Sequence, residues 1–495
     1  MRSLLDRSRT VAPAGYNRWL VPHAALAIHL AIGEAYAFSV FNVPLEQVVG
    51  VTQPAPADWS RTQLGWVFSI AIVFLGLSAA CFGSWLERAG PRKAMFASAA
   101  CFGSGFLVSA AGVYLHHLWL LYLGYGVLGG IGLGLGYISP VSTLIKWFPD
   151  RPGMATGLAI MGFGGGAMLG SPLSHLLMNQ FRSPASTGVM ETFAALGVLY
   201  FGFMMFGVLT VRLPAPEWKP PGAVAQKLST SASVTPNEAI QTRNFWLLWC
   251  MLLLNVTAGI GVLGQASPMI QEMFPLSVSA EAAAGFVGLL SLFNMVGRFF
   301  WSSFSDKLGR KPTYAIFFAL GAALYALTPQ TGKWGNVGLF VLCYGVIMSM
   351  YSGGFATIPA YLRDRFGTAQ VGAIHGRLLT AWSLAGVAGP VLVNYIRKAQ
   401  IDSGVPKAEA YTVTMYLMAG LLFVGFVCNL LVRRVTTPAG APGAPAGVVT
   451  VAPVGAAGAR PSADWPALLF RWAWVGIPLA WGVSQTVLSS LALFR

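Results

Sequence analysis

Two charged side chains inside long apolar runs are the residues of this sequence best suited to chemistry. Arg298 lies within the run 282–304, and Glu34 lies within the run 19–41. A charge inside a membrane span costs at least about 2.5–3.5 kcal/mol on insertion scales, so we expect Arg298 to face a cavity, a partner or water. Its planar guanidinium can bind a carboxylate through two parallel hydrogen bonds. The alternative is that Arg298 extends along about 10 Å of helix to the cytoplasmic interface.

Two titratable residues of the first apolar run could carry a proton. Glu34 is the one acidic residue that we place well inside a span, and a buried carboxylate can bind and release a proton. His29 lies about one and a half helical turns earlier and can also titrate. The alternatives are an ion pair between Glu34 and an arginine, and a packing role for His29. We therefore predict Glu34 and His29 as candidate sites of proton coupling.

The elements that must hold these residues are membrane-spanning helices. The chain has 495 residues, of which 55% are hydrophobic and only 9% are charged, and its mean hydropathy is +0.64. A span needs about 20 apolar residues, so spans are counted before domains. The pattern predicts an all-α polytopic membrane protein with twelve spans and a thirteenth span near the C-terminus. The predicted spans cover residues 19–41, 62–86, 94–113, 118–145, 153–178, 190–211, 244–273, 282–304, 313–328, 336–362, 371–395, 411–432 and 471–494.

The distribution of lysine and arginine predicts the orientation of the chain, because short cytoplasmic loops retain these residues. With the N-terminus inside, seven of the 31 Lys and Arg residues fall on the outer side. Two, Arg298 and Arg377, fall within spans, and all others are cytoplasmic. The net charge of +15 is therefore explained by topology and does not indicate a nucleic-acid partner. We expect an integral protein of the cell membrane with a cytoplasmic N-terminus.

Two segments of low hydropathy divide the chain. Residues 212–243 contain several prolines and a Ser/Thr run, and residues 433–464 are rich in Ala, Pro and Gly. The single span that follows the second of these segments could stabilise the bundle, contact a second copy or regulate transport, and we favour the structural role. The predicted organisation is a cytoplasmic N-terminus (1–18), a first six-helix half (19–211), a cytoplasmic linker (212–243), a second six-helix half (244–432), a flexible tether (433–464) and a single-span segment (465–495).

An internal repeat links the cytoplasmic ends of the two halves. Glu87-Arg88-Ala-Gly90 follows the second span and Asp306-Lys307-Leu-Gly309 follows the eighth. A second repeated pattern, an acid followed by an arginine, comes after the fourth span (Asp150-Arg151) and after the tenth (Asp364-Arg365). Ion pairs at such helix ends can form in one conformation and break in the other. A general excess of cytoplasmic positive charge is the alternative, but it does not explain the repeated acid and glycine. The predicted gating residues are Glu87, Arg88, Arg92, Asp150, Arg151, Asp306, Lys307, Arg310, Asp364 and Arg365.

These loops resemble the signature of the major facilitator superfamily over both halves, residues 19–432. Three further stretches resemble the oxalate/formate antiporter family: Tyr36-Ala-Phe-Ser-Val-Phe-Asn-Val-Pro-Leu45, Lys146-Trp-Phe-Pro-Asp-Arg-Pro-Gly153, and Gly297-Arg298-Phe before Asp306. The resemblance implies the major facilitator fold and the exchange or proton-linked movement of small carboxylates through a cationic cavity. It also implies that Arg298 binds substrate. The aromatic residues expected to line the cavity are Tyr36, Tyr137, Tyr344, Tyr351 and Trp382.

Trp382 marks a departure from that family. In its oxalate-transporting members a lysine occupies the middle of the eleventh helix, where our alignment places Trp382. A cavity with one fixed positive charge should favour a monoanion over dianionic oxalate. The sequence therefore predicts a secondary transporter of monocarboxylates such as formate, pyruvate or lactate, working as an antiporter or a proton symporter. Arg377 or a shifted alignment could supply a second charge, although we expect Arg377 to reach the interface.

Other functions find less support in the sequence. Six histidines and five cysteines show no metal-type spacing, so we predict neither a metal nor a cofactor. No nucleophile or paired-carboxylate constellation indicates an enzyme, and no phosphate loop indicates ATP as an energy source. A different substrate, such as an inorganic anion or a drug, and a transporter-like carboxylate sensor stay open as alternatives. The sequence does not indicate an oligomeric state.

Overall fold

The computed structural model describes residues 4–216, 218–220, 234–263, 265–433 and 465–491. Within these ranges thirteen helical spans are long and apolar enough to cross a membrane, which confirms the predicted all-α membrane architecture. Residues 217 and 221–233 of the predicted linker 212–243, and residues 434–464 of the predicted tether 433–464, lie outside the described residues. The spans are α1 (Arg18–Leu45), α2 (Arg61–Ala89), α3 (Pro91–Tyr114), α4 (Leu118–Trp147), α5 (Pro152–Phe181), α6 (Val189–Thr210), α7 (Arg243–Gly261), α8 (Ala282–Leu308), α9 (Arg310–Lys333), α10 (Val337–Phe366), α11 (Val371–Asp402), α12 (Thr412–Leu431) and α13 (Trp465–Leu488).

The glycines of the sequence repeat form the turns between consecutive helices. Gly90 has φ 89° and ψ 164° at the end of α2, and Gly309 has φ 94° and ψ 156° at the end of α8. A positive φ is unfavourable for residues that carry a Cβ, so glycine suits both positions. Pro91 then begins α3. A backbone N–H at the first position of a helix has no intrahelical acceptor, so proline, which lacks this group, fits there. We call the end of the bundle that carries Glu87 and Asp306 the repeat end.

Two spans depart from regular α-helical geometry. α1 is α-helical over Pro22–Ile32 and 3₁₀-helical over Gly33–Phe41. α4 contains a π-helical stretch over Tyr122–Gly129. Such stretches within longer helices often occur at functional positions. The 3₁₀ stretch carries both Glu34 and Tyr36, so it sets the directions in which these two side chains point.

The predicted seventh span, 244–273, is two helices in the structure. The first helix covers Arg243–Leu263 and the second covers Ala266–Met273. Pro268 lies in the first turn of the second helix. Proline has no N–H to donate to the residue four positions earlier, so it interrupts a continuous helix but fits a first turn.

The first half, α1–α6, meets the second half, α7–α12, along two helix pairs. α5 packs against α8, and α2 packs against α11. Glycines permit the close approach, because a Cβ at Gly157 would lie 2.8 Å from the carbonyl oxygen of Arg298. A Cβ at Gly83 would likewise lie 2.9 Å from the Cα of Ala373. The two pairs position Arg298 of α8 and Trp382 of α11 between the halves.

α13 lies across the α5–α8 pair on the surface of the bundle, where it also packs against α1. Nη1 of Arg471 donates to the hydroxyl oxygen of Tyr16 (3.0 Å), and Nε1 of Trp472 donates to the carbonyl oxygen of Trp19 (3.2 Å). The ring of Trp474 stacks on Phe206 of α6 at a centroid distance of 5.0 Å. The thirteenth helix is therefore docked against both halves.

We expect Trp474→Ala to weaken the docking of α13. The substitution removes ring stacking on Phe206 and Phe203, and aromatic pairs contribute about 0.5–1.5 kcal/mol each. A protease site inserted within residues 434–464 would sever the tether, and the amount of α13 fragment that copurifies would be measured. Ile477→Ala is the matched control, because Ile477 is 70% exposed. The control should retain the fragment and Trp474→Ala should lose most of it; equal retention would contradict the role of Trp474.

Candidate substrate-binding site

Arg298 is the centre of the candidate site. Its side chain is fully buried between α8 and α5. Nε donates to Oδ1 of Asn294, one turn earlier (2.9 Å), and Nη1 donates to the carbonyl oxygen of Ile160 in α5 (3.3 Å). Nη2 is buried and has no hydrogen bond of normal geometry among the described residues, although the hydroxyl of Tyr36 lies close to the guanidinium. Leaving a buried donor of a charged group unpaired is costly, so the unpaired Nη2 indicates a site for an anion.

Aromatic rings surround the guanidinium of Arg298. The ring centroids of Phe163 in α5 and Phe355 in α10 lie 5.4 and 5.7 Å from its Cζ atom. Trp382 of α11 packs against both phenylalanines, at centroid distances of 5.4 and 4.5 Å. Cation–π attraction to the two rings helps to hold the guanidinium in place. The site is therefore an aromatic enclosure, built from both halves, around one cation.

Three of the predicted tyrosines join this enclosure. Tyr137 of α4 lies 5.2 Å from Trp382 between ring centroids, and Tyr36 of α1 lies 5.1 Å from Phe163. The hydroxyl oxygens of Tyr36 and Tyr351 are 3.3 Å apart, which links α1 to α10. The structure thus brings together five of the predicted substrate-binding residues: Arg298, Tyr36, Tyr137, Tyr351 and Trp382.

The enclosure presents buried hydrogen-bond donors. Nη2 of Arg298, the hydroxyl of Tyr137 and Nε1 of Trp382 have no hydrogen-bond partner among the described residues. The guanidinium and the indole N–H can only donate, and the hydroxyl can donate. An unpaired buried donor costs about 1–3 kcal/mol, so this set fits a ligand that offers several acceptors. A carboxylate supplies those acceptors together with the negative charge that complements Arg298.

Two residues of the enclosure, Phe163 and Phe355, were not predicted from the sequence. Each lies in a glycine-rich stretch, Gly162-Phe-Gly164 in α5 and Gly353-Gly-Phe355 in α10. A single large ring among glycines is the signal that could have identified both. The residue type alone gives no such signal, because most phenylalanines in membrane helices pack against other helices or lipid.

Tyr344 is the predicted aromatic residue that lies apart from the enclosure. Its ring packs against Phe340 and Phe286, and its hydroxyl oxygen lies 3.4 Å from Sδ of Met269. Tyr344 and Tyr351 lie on one side of α10, but seven residues separate them by about 10 Å along the axis. The ring of Tyr344 therefore belongs to a packed cluster in the second half.

Glu34 is fully buried within the first half and away from the enclosure. Ser174 of α5 and Tyr200 of α6 lie beside its carboxylate, and a Cβ at Gly170 of α5 would collide with that carboxylate. A 3₁₀-helix has about three residues per turn, so residues two apart point to different sides. Glu34 consequently points into the first half while Tyr36 points to the enclosure.

His29 borders the enclosure. Its ring lies 5.4 Å from that of Tyr137, and its Nδ1 donates to the carbonyl oxygen of Ala25 (3.1 Å). The two predicted coupling residues therefore differ, because only His29 contacts a residue that surrounds Arg298. Arg377, the alternative source of a second charge, is partly exposed.

The two halves are joined at the repeat end by Asp306. Its carboxylate accepts hydrogen bonds from the backbone N–H groups of Gly153 and Met154, both at 2.8 Å, in the first turn of α5. Arg310 pairs with Asp306 at 2.6 Å and with Asp364 at 3.0 Å. A carboxylate at a helix N-terminus pairs unsatisfied N–H groups and complements the helix dipole. An acid of the second half thus caps a helix of the first.

Glu87 occupies the same place in the other copy of the repeat but makes different contacts. It pairs with Lys146 at 2.6 Å and accepts a hydrogen bond from Ser142 at 2.7 Å, both within the first half. It reaches α11 only by packing, because a Cβ at Gly372 would lie 2.6 Å from its Oε1. The two loops are therefore similar in sequence and different in the contacts that they make between halves.

Arg92, predicted as a gating residue, lies at a helix end within the first half. Its Nε donates to the carbonyl oxygen of Val208 at the end of α6 (3.1 Å). Lys311, two residues after Gly309 as Arg92 is two residues after Gly90, donates to the carbonyl oxygen of Leu430 at the end of α12 (2.7 Å). Both cations therefore complement the C-terminal end of the last helix of their half.

The other predicted gating residues contribute less to the contact between halves. Asp150 pairs with Arg18 of the first half at 2.7 Å, and Cζ of Arg365 lies 5.2 Å from the ring centroid of Tyr361. A contact between halves comes instead from Arg363, whose Nη2 donates to the carbonyl oxygen of Pro149 (2.9 Å). Three predicted residues are exposed: Arg88, Arg151 and Lys307.

Comparison with known families agrees with this architecture. A sequence profile of the Major Facilitator Superfamily matches residues 24–390 and, in a second match, residues 291–495. The chain belongs to the major facilitator superfamily, and it is an integral membrane transporter of that class.

Individual proteins are similar to this chain in sequence or in fold. The chain is 26% identical to the MFS-type transporter YhjX of Escherichia coli (strain K12), over 76% of this chain and 88% of the relative. It is 26% identical to the oxalate:formate antiporter of Oxalobacter formigenes, over 75% and 83%, and 25% identical to apicoplast pyruvate carrier 1 of Toxoplasma gondii, over 65% and 67%. The crystal structure of the transporter FucP in the outward conformation has a TM-score of 0.60 at 13% identity, covering 84% of this chain and 100% of FucP. The last similarity shows the fold alone.

We call the contact surface between helices of the two halves the seam. We expect Asp306→Asn to open the seam between α5 and α8 at the repeat end. The substitution removes the charge that caps α5, and a hydrogen bond to a charged group contributes about 1.5–3 kcal/mol. A cysteine at Thr156, which is buried and bonds to the carbonyl oxygen of Ala356 across the seam, would report opening through its rate of thiol modification. The measurement uses a chain whose five native cysteines are replaced. Modification should become about tenfold faster or more.

Lys307→Gln is the control for this measurement, because Lys307 is exposed and lies next to Asp306 in the same loop. It changes the local charge by one unit without removing the cap of α5. Equal rates of modification in Asp306→Asn and Lys307→Gln would contradict the capping interpretation.

Proposed function

We propose that this transporter carries small monocarboxylates, such as formate, pyruvate or lactate, and that the carboxylate binds Arg298. The observation behind the proposal is the buried guanidinium with an unpaired Nη2 inside an enclosure that offers two more unpaired donors, on Tyr137 and Trp382. The names of two relatives, an oxalate:formate antiporter and a pyruvate carrier, support the same class of substrate. Exchange and proton symport are both compatible with this site.

Charge favours a monoanion over oxalate. Trp382 occupies the position at which the oxalate/formate antiporter resemblance places a lysine, and its indole packs against Phe355 at 4.5 Å. Among the described residues, Arg298 is the cation that the rings of the enclosure surround, while Arg377 is partly exposed and has one buried, unpaired nitrogen. A second negative charge on the ligand would be buried without a fixed counter-charge, which is strongly unfavourable.

The contacts between the halves are compatible with alternating access. Asp306 caps α5, and Oγ1 of Thr156 donates to the carbonyl oxygen of Ala356 (2.6 Å). These bonds close the repeat end, which we propose is cytoplasmic in the cell membrane because the positive loops lie there. Breaking them while the opposite end closes would expose Arg298 to the cytoplasm, as rocking of repeated halves does in secondary transporters.

The decisive test is transport by purified protein in liposomes. We expect uptake of labelled formate, pyruvate or lactate by the wild type, with less uptake of oxalate at equal concentration. Arg298→Ala should reduce uptake by at least about a hundredfold, because the charge-assisted contact of the guanidinium with the substrate is lost from a dry site. Arg182→Ala is the control, since Arg182 is exposed at the end of α5. Uptake of an inorganic anion or a drug, and of no carboxylate, would replace the proposed substrate; binding without uptake would indicate a sensor.

The identity of residue 382 gives a second test. Trp382→Lys adds a positive charge to the enclosure, so we expect the ratio of oxalate to formate transport to rise by about tenfold or more. Trp382→Gln removes the indole to a similar extent without adding charge and serves as the control. An equal change of the ratio in both variants would show that ring size, rather than charge, sets the preference.

A further inference from the structure

Two buried histidines lie beside Tyr137 at the edge of the enclosure. His29 of α1 is 0% exposed and His375 of α11 is 1% exposed. The centroid of the Tyr137 ring lies 5.4 Å from that of His29 and 5.8 Å from that of His375. His29 belongs to the first half and His375 to the second, so Tyr137 contacts a titratable group of each half.

The polar atoms of this group lack partners among the described residues. Both ring nitrogens of His375 and the hydroxyl of Tyr137 have none, and Nε2 of His29 has no hydrogen bond of normal geometry, although the backbone of Tyr137 lies close to the His29 ring. Unpaired ring nitrogens also occur at His23, so they do not identify a site by themselves. Here the costly unpaired atoms come from both halves and meet around one ring, which indicates that the group interacts with something that enters between the halves.

The hydrogen bond of His29 fixes the chemistry of its free nitrogen. Nδ1 lies 3.1 Å from the carbonyl oxygen of Ala25, which can only accept, so Nδ1 carries the hydrogen. In a neutral ring Nε2 is then an acceptor, and it becomes a donor only after protonation. A proton on Nε2 or on His375 would add a positive charge next to the site of Arg298.

The charges around the pair favour a proton that arrives together with an anion. Arg298 repels a positive charge on His29, and a carboxylate bound to Arg298 cancels that repulsion. The titratable groups nearest the pair lie on α4, α8 and α2. Tyr137 of α4 contacts both rings, the charge of Arg298 in α8 acts on His29, and Glu87 of α2 lies beside Gly372, three residues before His375.

We propose that His29 and His375 bind the proton that is transported with each monocarboxylate. The inference rests on the proposed function, and it decides between exchange and symport in favour of symport. One carboxylate and one proton enter from one side and leave on the other, so no net charge crosses the membrane. Because the histidines lie in different halves, rocking of the halves separates His375 from Tyr137 and opens the pair to each side in turn.

The test compares two kinds of pyruvate transport in proteoliposomes. Wild-type protein should accumulate pyruvate about tenfold for each unit by which the outside is more acidic, as one proton per anion requires. A trapped pH dye should report one proton per pyruvate. His29→Gln, His375→Gln and the double variant should lose this accumulation but retain exchange of labelled for unlabelled pyruvate at equal pH, because exchange needs no net proton movement.

His23→Gln is the matched control. His23 is also buried in α1, but its ring faces Phe206 at 5.6 Å and lies away from Tyr137. It should retain both kinds of transport, and protein-free liposomes give the background from passive diffusion of the acid.

Distinct outcomes separate this inference from the proposed function. No pyruvate or other carboxylate transport by the folded wild type would remove the proposed function itself. Transport without accumulation in a pH gradient, or accumulation that persists in the double variant, would overturn the histidine site alone. Loss of exchange together with accumulation would also overturn it, since the pair would then be needed for binding. Accumulation lost in Glu34→Gln but kept in the double variant would assign the proton to Glu34.

Discussion

The burial of one positive charge between α5 and α8 is the constraint on which the site depends. A guanidinium away from water must be held by hydrogen bonds, and Arg298 obtains two of them from Asn294 and from the backbone of α5. That arrangement needs space, because a Cβ at Gly164 would lie 2.8 Å from Oδ1 of Asn294 and 3.0 Å from Nε of Arg298. The glycine run of α5 therefore leaves room for the Arg298 side chain and also permits the close packing of the two helices.

The twofold repeat is retained where it ends helices and lost where it joins the halves. Gly90 and Gly309 make the same turn, and the cation two residues later complements a helix end in each half. The position directly after the glycine differs, because Pro91 begins a helix in the first half while Arg310 pairs with Asp306 in the second. The seam between α5 and α8 therefore holds the charged contact, whereas the seam between α2 and α11 is held by close packing and by the hydroxyl of Ser383, which donates to the carbonyl oxygen of Ile72 (3.0 Å). Such a difference makes the α5–α8 seam the more sensitive of the two to salt.

The sequence predicted what depends on composition and local pattern, and missed what depends on packing between helices. Thirteen spans follow from hydropathy, and Arg298 follows from the cost of a charge in lipid. The division of the seventh span near Pro268 could have been predicted from proline chemistry alone. Phe163 and Tyr344 could not be sorted, because an aromatic residue in a membrane helix is equally compatible with a site, a core and lipid. The 3₁₀ stretch of α1, which turns Glu34 away from Tyr36, has no local signal that we recognise.

α13 shows how a helix can contact both halves of a transporter and still permit them to move. Its polar contacts are with the N-terminal part of the first half, at Tyr16 and Trp19, and its ring stacking is with Phe206 of the same half. On the α8 side, Leu479 of α13 and Met295 of α8 both lie close to Gly165. Hydrogen bonds and stacked rings require fixed geometry, whereas a flexible methionine adapts to a change in its surroundings. We therefore expect α13 to keep its contacts with the first half when α8 shifts against α5.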